Sequence, residues 1–182
     1  MKKKIKKRKL DLTKYGKNYE PKFNKSDKSN QDGVYGNYET SPEFYKYLEY
    51  PPFKTKEETK FYLLKLMDKV NSIYWFVRLG KKVIGTVGLT EINSRSKHAS
   101  IGIGISPKYW GKGYGKEALK LAVFYGFNNL NLRRLQAITR EDNLPTIKIF
   151  KSLGFEQEGM LREHYVSFDG NKYNAVMLGL IK

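Results

Sequence analysis

The chain has 182 residues, which suits one domain of ordinary size with at most one active site. Its 40% hydrophobic and 14% aromatic content can form a core, so a wholly disordered chain is excluded. The absence of cysteine excludes disulfides, thiolate metal sites and a cysteine nucleophile. Two histidines far apart give no reason to expect a metal. No apolar run reaches membrane-span length, so we expect a soluble cytoplasmic protein.

Positive charge dominates, with a formal net charge of +17 at pH 7. Residues 1–30 hold twelve Lys or Arg against three acids, so the N-terminus is more basic than the rest. Such a run attracts polyanions by counterion release, which predicts weak association with a ribosome or RNA. The alternative is a solvated, partly disordered extension without a partner.

The first 40 residues form a basic extension and loop, and residues 41–182 form the domain. Leu10-Asp11-Leu12 has the pattern of a short edge strand, whereas residues 14–40 are polar and punctuated by glycine. Ser41-Pro42 begins a helix that Pro51-Pro52 ends.

A second helix and three strands follow. Thr55 with Glu58 resembles a capping box, and the helix that it begins ends near Asn71. Alternating residues from Tyr74 to Leu79 and from Val83 to Leu89 predict a hairpin. In the third strand, Ala99 to Ile105, glycines alternate with isoleucines. One face is therefore bare, as where a ligand or another backbone approaches closely.

The remaining chain predicts helix, strand, helix and hairpin. Apolar spacing marks a helix from Lys116 to about Leu130, and Leu135 to Thr139 reads as a strand. Asn143-Leu144-Pro145 begins a short helix that Gly154 ends. A closing hairpin turns at Asp169-Gly170. The order predicts an α/β fold with a mixed sheet and helices on both faces.

Between the glycine-rich strand and the long helix lies a loop with Gly111, Gly113 and Gly115. Three alternating glycines before a helix let successive N–H groups converge on an anion, as in a phosphate cradle. A Walker A motif would need glycine at Trp110 and Ser or Thr at Glu117, so it fails. The dinucleotide fingerprint fails because its third glycine would fall at Lys116.

With this loop the chain resembles the GNAT acetyltransferase superfamily, and within it the ribosomal-protein N-acetyltransferases of RimJ/RimL type. The resemblance runs from about Ser41 to Lys182 and rests on Ile101–Ile105, Trp110–Gly115 and Asn143–Phe155. The stretch Glu158–His164 and the Asp169-Gly170 turn look like the Rim branch. The resemblance implies an α/β (α+β) single domain with a mostly antiparallel sheet. It also implies a V-shaped opening between the fourth and fifth strands, here Ile101–Ile105 and Leu135–Thr139.

The resemblance implies that acetyl-CoA binds in this opening. Main-chain groups of Ile103 and Ile105 would pair with the pantetheine arm, and one N–H would polarise the thioester carbonyl. Asn143 would hydrogen-bond the pantetheine, with helix capping as its alternative or additional role. The pyrophosphate would bind the amides of Gly111, Lys112, Gly113, Tyr114, Gly115 and Lys116.

Two positions depart from the family pattern. Trp110 replaces the usual Arg or Gln, which removes a side-chain contact but leaves the backbone cradle. Many members carry a tyrosine seven residues after the asparagine to protonate the CoA thiolate, and here that residue is Phe150. Thr146 occupies the place where Rim-type enzymes carry a serine, and its hydroxyl is our candidate donor to the thiolate.

The expected mechanism is direct attack by an amine on acetyl-CoA, without an acyl-enzyme. Glu91 is the candidate base, and the alternative is an exposed glutamate at a strand end; Glu163 is the second choice. His98 and His164 are expected to satisfy local hydrogen bonds. An α-amine has a pKa near 8, so a weak base suffices.

The positive charge disfavours a polyamine acceptor unless the site is locally acidic, so a protein N-terminal amine ranks first and a nucleotide-linked amino sugar second. Two non-catalytic alternatives stay open, an acetyl-CoA sensor and a nucleic-acid-binding module. A homodimer is also left open.

Overall fold

The structure is a computed structural model that describes residues 11–14, 42–48, 52–55, 57–58, 61–62, 65, 69–80 and 82–182. The lysine run and most of the predicted loop over residues 14–40 lie outside this part. The described strands form one seven-stranded sheet in the order β1-β2-β3-β4-β5-β7-β6. They are β1 (Asp11–Lys14), β2 (Ile73–Leu79), β3 (Lys82–Asn93), β4 (His98–Ile105), β5 (Arg134–Arg140), β6 (Glu156–Val166) and β7 (Lys172–Ile181).

The helices are α1 (Pro42–Tyr45), α2 (Tyr114–Asn128) and α3 (Leu144–Lys151), and a 3-10 turn spans Pro107–Tyr109. Helix α1 is shorter than the proline pattern predicts. The N–H of Leu48 donates to the Tyr45 carbonyl over 2.9 Å, three residues back, so a tighter turn replaces the α-helical ladder. Tyr45 itself is fully buried and packs edge-to-face on Phe44 and Phe53.

The capping box at Thr55 is present in a shifted form. The N–H of Glu58 donates to Thr55 Oγ1 over 3.1 Å, as predicted, but the Glu58 carboxylate accepts from the N–H of Lys54 rather than from that of Thr55. Residues 57, 58, 61, 62 and 65 are helical. The edge strand predicted at residues 10–12 is present from Asp11, because β1 (Asp11–Lys14) pairs antiparallel with β2, and Leu10 lies outside the described residues.

Helices cover both faces of the sheet, as predicted. A Cβ on Gly126 of α2 would lie 3.4 Å from Leu89 of β3 and Leu135 of β5, so α2 packs on that face. Arg140 is five residues beyond Leu135 in a regular strand and therefore faces the other way. Its guanidinium donates to the carbonyl of Lys46 over 2.9 Å, which places the segment after α1 on the opposite face.

The central strands diverge where the V-shaped opening is expected. β4 and β5 are parallel and pair over only three residues, from His98 with Arg134 to Ser100 with Gln136. Beyond this point residues 101–105 pair with β3, and residues 137–140 pair with β7. We call the Ser100–Gln136 pair the vertex of the opening.

Candidate active site

The edge of β4 that faces the opening carries main-chain groups of two isoleucines. The N–H of Ser106 donates to the Ile84 carbonyl of β3 over 2.9 Å. Since amide directions alternate along a strand, Gly104 and Gly102 also face β3, whereas Ile103 and Ile105 face the opening. The main-chain N–H and C=O groups of both isoleucines therefore point to where an extended ligand could pair with β4 like an added strand. Their contacts with acetyl-CoA stay a prediction.

Trp110 joins the loop to the end of β4. Its indole N–H donates a hydrogen bond to the Ile105 carbonyl. An Arg or Gln at this position has no indole and would need a guanidinium or amide N–H to make the same contact. The bond uses one of the two acceptor positions of that carbonyl and leaves the Ile105 N–H towards the opening. From the sequence, only the loss of the Arg or Gln side-chain contact at position 110 was apparent. The hydrogen bond from Trp110 to Ile105 was not apparent, because it depends on the turn at Pro107–Tyr109 that brings these two residues together.

The glycine loop has the backbone shape that the cradle requires. Gly111 and Gly113 have φ of +70° and +84°, in the left-handed region that favours glycine. Gly113 is the N-cap of α2, so the N–H groups of Tyr114, Gly115 and Lys116 have no acceptor within the helix. Apart from the chain neighbours, no residue that the structure describes has an atom within 4 Å of a Cβ on Gly111 or Gly113, so the loop has open space on that side.

The cradle lies directly beside the opening. A Cβ on Gly115 would lie 3.8 Å from the side chains of both Ile103 and Ile105, so the first turn of α2 docks on the unpaired part of β4. The Lys112 ammonium donates to the Lys108 carbonyl over 2.9 Å and is 5.6 Å from the ring centroid of Tyr109. The Lys112 side chain therefore folds back on the preceding turn, and what it can offer the cradle is its amide.

Asn143 lies at the start of α3 but does not cap it. Its φ and ψ are −81° and 58°, and its side chain makes no capping hydrogen bond. Instead, Nδ2 donates to Thr139 Oγ1 at the end of β5 over 3.2 Å. The expectation of a helix cap is therefore wrong, because the hydroxyl of Thr139 orients the amide across the chain reversal.

Helix α3 carries the two residues of the thiolate hypothesis one turn apart on the same face, but with different burial. Phe150 is 2% exposed and packs edge-to-face on Phe155 with 4.9 Å between ring centroids. A core position of this kind explains why an apolar ring is accommodated there. Thr146 is partly buried, one turn earlier. Its catalytic role stays a prediction.

Glu91 lies at the vertex. It occupies a bulge of β3, with φ of +53°, where the register with β4 shifts between Thr90 and Asn93. Ser100 Oγ donates to Glu91 Oε2 over 2.7 Å, and Gln136 Nε2 donates to Ser100 Oγ over 3.3 Å. The sequence missed Ser100 and Gln136, because their proximity depends on the pairing of strands 36 residues apart.

Tyr74 is a further site residue that the sequence did not indicate. Burial raises its pKa to about 12, with further contributions from Tyr62 and Glu91, so the phenol stays protonated at neutral pH. Tyr74 pairs with Gly88 across the β2–β3 hairpin. A tyrosine opposite a glycine in the predicted hairpin was the sequence feature that could have indicated this position. Tyr74 thus adds a neutral hydroxyl whose pKa the Glu91 carboxylate helps to raise.

The structure does not bring Glu163 to the vertex. Its carboxylate pairs with Lys172 over 2.8 Å, and β7 separates its strand from β5. Among the described residues, the buried Nδ1 of His98 has no hydrogen-bond partner, so that expectation is wrong for this atom. His164 packs edge-to-face on Tyr165.

Within the described ranges, no cluster of three or more His, Cys, Asp or Glu side chains could hold a metal ion. In the same part of the chain, no helix has both the length and the apolar character that crossing a membrane requires.

Comparison with known proteins agrees with this geometry. Residues 26–156 match the family model described as acetyltransferase (GNAT) domain. The chain is 33% identical over 150 residues to p20 of Bacillus licheniformis, an uncharacterized N-acetyltransferase, covering 80% of this chain and 84% of that one. It is 43% identical over 94 residues to spermidine N(1)-acetyltransferase of Escherichia coli K12, which is 52% of this chain and 50% of the relative.

A solved structure shows the same fold. Spermidine N-acetyltransferase from Vibrio cholerae, in complex with CoA and spermine, superposes with a TM-score of 0.74 at 21% identity, covering 94% of this chain and 95% of that one. At this identity the likeness concerns the fold. Together with the family match and the divergent strands, these findings show that the chain belongs to the GNAT acetyltransferases and is an amine N-acetyltransferase.

Proposed function

We propose that the chain transfers the acetyl group of acetyl-CoA directly to a primary amine held beside Glu91. The observation that carries this proposal is the opening between β4 and β5, with the glycine loop at its side and the Glu91–Ser100 pair at its vertex. A thioester arm laid along β4 would place its carbonyl next to a carboxylate. A helix N-terminus would meanwhile hold the diphosphate.

The donor half of the site rests on backbone groups and one amide. The N–H groups that face the opening on β4 suit an arm that binds like an added strand. Asn143, oriented by Thr139, is available to hydrogen-bond the same arm from the β5 side. The proposed acetyl-CoA contacts are Ile103, Ile105, Gly111, Lys112, Gly113, Tyr114, Gly115, Lys116 and Asn143.

In the proposed reaction the neutral amine attacks the thioester carbonyl carbon, so a C–N bond forms and the C–S bond breaks. Glu91 accepts the proton that the amine loses, directly or through a water molecule. The CoA thiolate leaves, and the Thr146 hydroxyl donates a hydrogen bond to it. The chain has no cysteine, so no protein thioester forms, and in the proposed reaction the acetyl group passes directly from CoA to the amine within a ternary complex.

A protein N-terminal α-amine is the first acceptor that we propose. Its pKa near 8 leaves a useful neutral fraction, so a hydrogen-bonded glutamate is base enough. The net charge of +17 favours an acceptor presented near a polyanion such as ribosomal RNA, which fits the RimJ/RimL-like stretch. A nucleotide-linked amino sugar is the small-molecule acceptor of the same charge class.

A polyamine is the second acceptor, and a specific observation favours it. The Glu91 carboxylate at the vertex supplies the local negative charge without which a basic protein would repel a polycation. Spermidine acetyltransferases also match about half of the chain.

An acceptor panel tests the proposal. CoA release is measured with unmodified N-terminal peptides, spermidine and a nucleotide-linked amino sugar, and acetyl-CoA binding is measured by isothermal titration. We expect binding and turnover on one of these classes. Binding without turnover on any acceptor would identify a sensor, and no binding would leave a nucleic-acid-binding module. Deleting residues 2–9 should leave turnover on small amines intact and weaken only association with RNA.

A further inference from the structure

Just beyond the vertex, β2, β3 and β4 each place one residue in a row across the sheet, on the face opposite α2. Tyr74 of β2 pairs with Gly88 of β3, and Gly88 pairs with Gly102 of β4. Residues paired across strands project to the same face, and this face is opposite to that of Leu89, which contacts α2. The two glycines therefore form a bare strip that ends at the open edge of β4.

The ring of Tyr74 occupies the space above Gly88. A Cβ built on Gly88 would lie 2.5 Å from Cδ1 and 2.7 Å from Cε1 of that ring, so only glycine at position 88 accommodates it. The ring thus leans from β2 across β3 towards β4. Among the residues that the structure describes, none beyond the chain neighbours has an atom within 4 Å of a Cβ on Gly102, and Gly102 itself is exposed, so the strip beyond the ring is open with respect to them.

Polar groups border the strip along the strands. The next pair on this face towards the vertex is Thr90 with Ser100, and Ser100 holds the Glu91 carboxylate. Burial raises the pKa of Tyr74 to about 12, so the phenol is protonated at neutral pH, and the lone pairs of its oxygen can accept a hydrogen bond. We call the strip and its border, formed by Tyr74, Gly88, Gly102, Ser100 and Glu91, the glycine shelf.

We propose that the glycine shelf binds the amino end of the acceptor, with the amine between Glu91 and Tyr74 and its carbon chain across Gly102. This inference rests on the proposed function and deepens it. A primary amine has two or three N–H donors, and the carboxylate and the phenol oxygen supply two acceptors at the border. The missing side chain at position 102 supplies the room for the adjacent carbon.

Gly102→Ala is the sharpest test, because the added methyl group enters open space and disturbs no packing. We expect the KM for the amine to rise at least tenfold while the Kd for acetyl-CoA stays within twofold. Gly159→Ala is the matched control: its Cβ also meets nothing within 4 Å, but it lies on β6, away from the opening. It should leave both constants unchanged.

Tyr74→Phe provides a second test that keeps the ring above Gly88. Loss of one hydrogen bond to the amine should lower kcat/KM for the acceptor about tenfold, again without weakening acetyl-CoA. Constants are measured with a peptide α-amine and with spermidine, and thermal unfolding verifies the fold. If Gly102→Ala and Tyr74→Phe both show normal turnover and an unchanged acceptor KM, the role of the glycine shelf is overturned, while the proposed acetyl transfer still stands. Absence of turnover on any amine in the unaltered protein would overturn the proposed function itself.

Discussion

Ser100 donates its hydroxyl hydrogen to the Glu91 carboxylate at the last residue pair that joins β4 to β5. The bond ties a residue of a bulged strand, at φ of +53°, to the point where the sheet divides. A carboxylate held this way cannot rotate freely, because one of its oxygens is committed to Ser100. Its other oxygen remains to face the proposed amine.

Removing either partner of this pair should affect turnover more than cofactor binding. We expect Glu91→Gln to lower kcat about a hundredfold, because the amide cannot accept the proton. Ser100→Ala should lower kcat about tenfold, because Glu91 loses its orientation. Stopped-time assays of CoA release measure both, with Ser96→Ala in the exposed turn as control. A Ser100→Ala enzyme with the parent kcat would contradict the positioning role.

Gly113 and Gly170 form a matched pair for testing the cradle. Their φ values are +84° and +83°, and a Cβ on either meets nothing within 4 Å, so alanine imposes the same backbone strain. Each substitution should lower the free energy of unfolding by about 1–2 kcal/mol. Only Gly113→Ala should weaken acetyl-CoA, which isothermal titration measures. Equal affinity in the two variants would place the diphosphate elsewhere.

Asn143→Ala separates binding from stability. Since the side chain makes no capping bond and loses only its hydrogen bond to Thr139, we expect the unfolding free energy to fall by about 1 kcal/mol. The Kd for acetyl-CoA should rise about tenfold through loss of the proposed hydrogen bond. Asn128→Ala, which removes a side-chain bond to Phe124 within α2, serves as control. A large loss of stability with unchanged Kd would show a structural role instead.

Thr146 is tested by keeping or removing its hydroxyl. Thr146→Ser should retain turnover, whereas Thr146→Val, which preserves the shape, should lower kcat about tenfold. Phe150→Tyr should not raise kcat, because the ring is 2% exposed and its new hydroxyl would enter the core against Phe155. A faster Phe150→Tyr enzyme would show that a hydroxyl at this place reaches the thiolate after all.

The pair of Arg134 and Glu158 predicts a small acid-sensitive contribution to stability. The Arg134 guanidinium hydrogen-bonds Glu158 and lowers the pKa of that carboxyl below its usual range. A lowered folded-state pKa stabilises the fold above the unfolded value and loses that effect as pH falls through the folded one. Glu158→Gln should therefore lower the unfolding free energy by less than about 1 kcal/mol at pH 7 and by nothing near pH 2. Urea unfolding at both values measures this, and an equal loss at pH 2 would contradict it.

Local pattern sufficed for the central hairpin and for the turn of the backbone at the glycine loop. The alternation of Tyr74–Leu79 and Val83–Leu89 predicted a hairpin that the structure contains. The glycines at 111 and 113 predicted a turning backbone before α2, and both have positive φ in the structure. Both signals depend on residues close in sequence. They are therefore readable without the fold.

Tertiary structure decided the polar groups around the amine. Glu91, Ser100 and Gln136 meet only because β4 pairs with β3 on one side and briefly with β5 on the other, and Tyr74 reaches the same face only across Gly88. The side chain of Asn143 likewise bonds Thr139 instead of its own helix. Such contacts depend on strand register and on chain reversals, and the register of each strand depends on its pairing within the whole sheet. No local spacing encodes them, because each partner's position is set by strands distant in the chain.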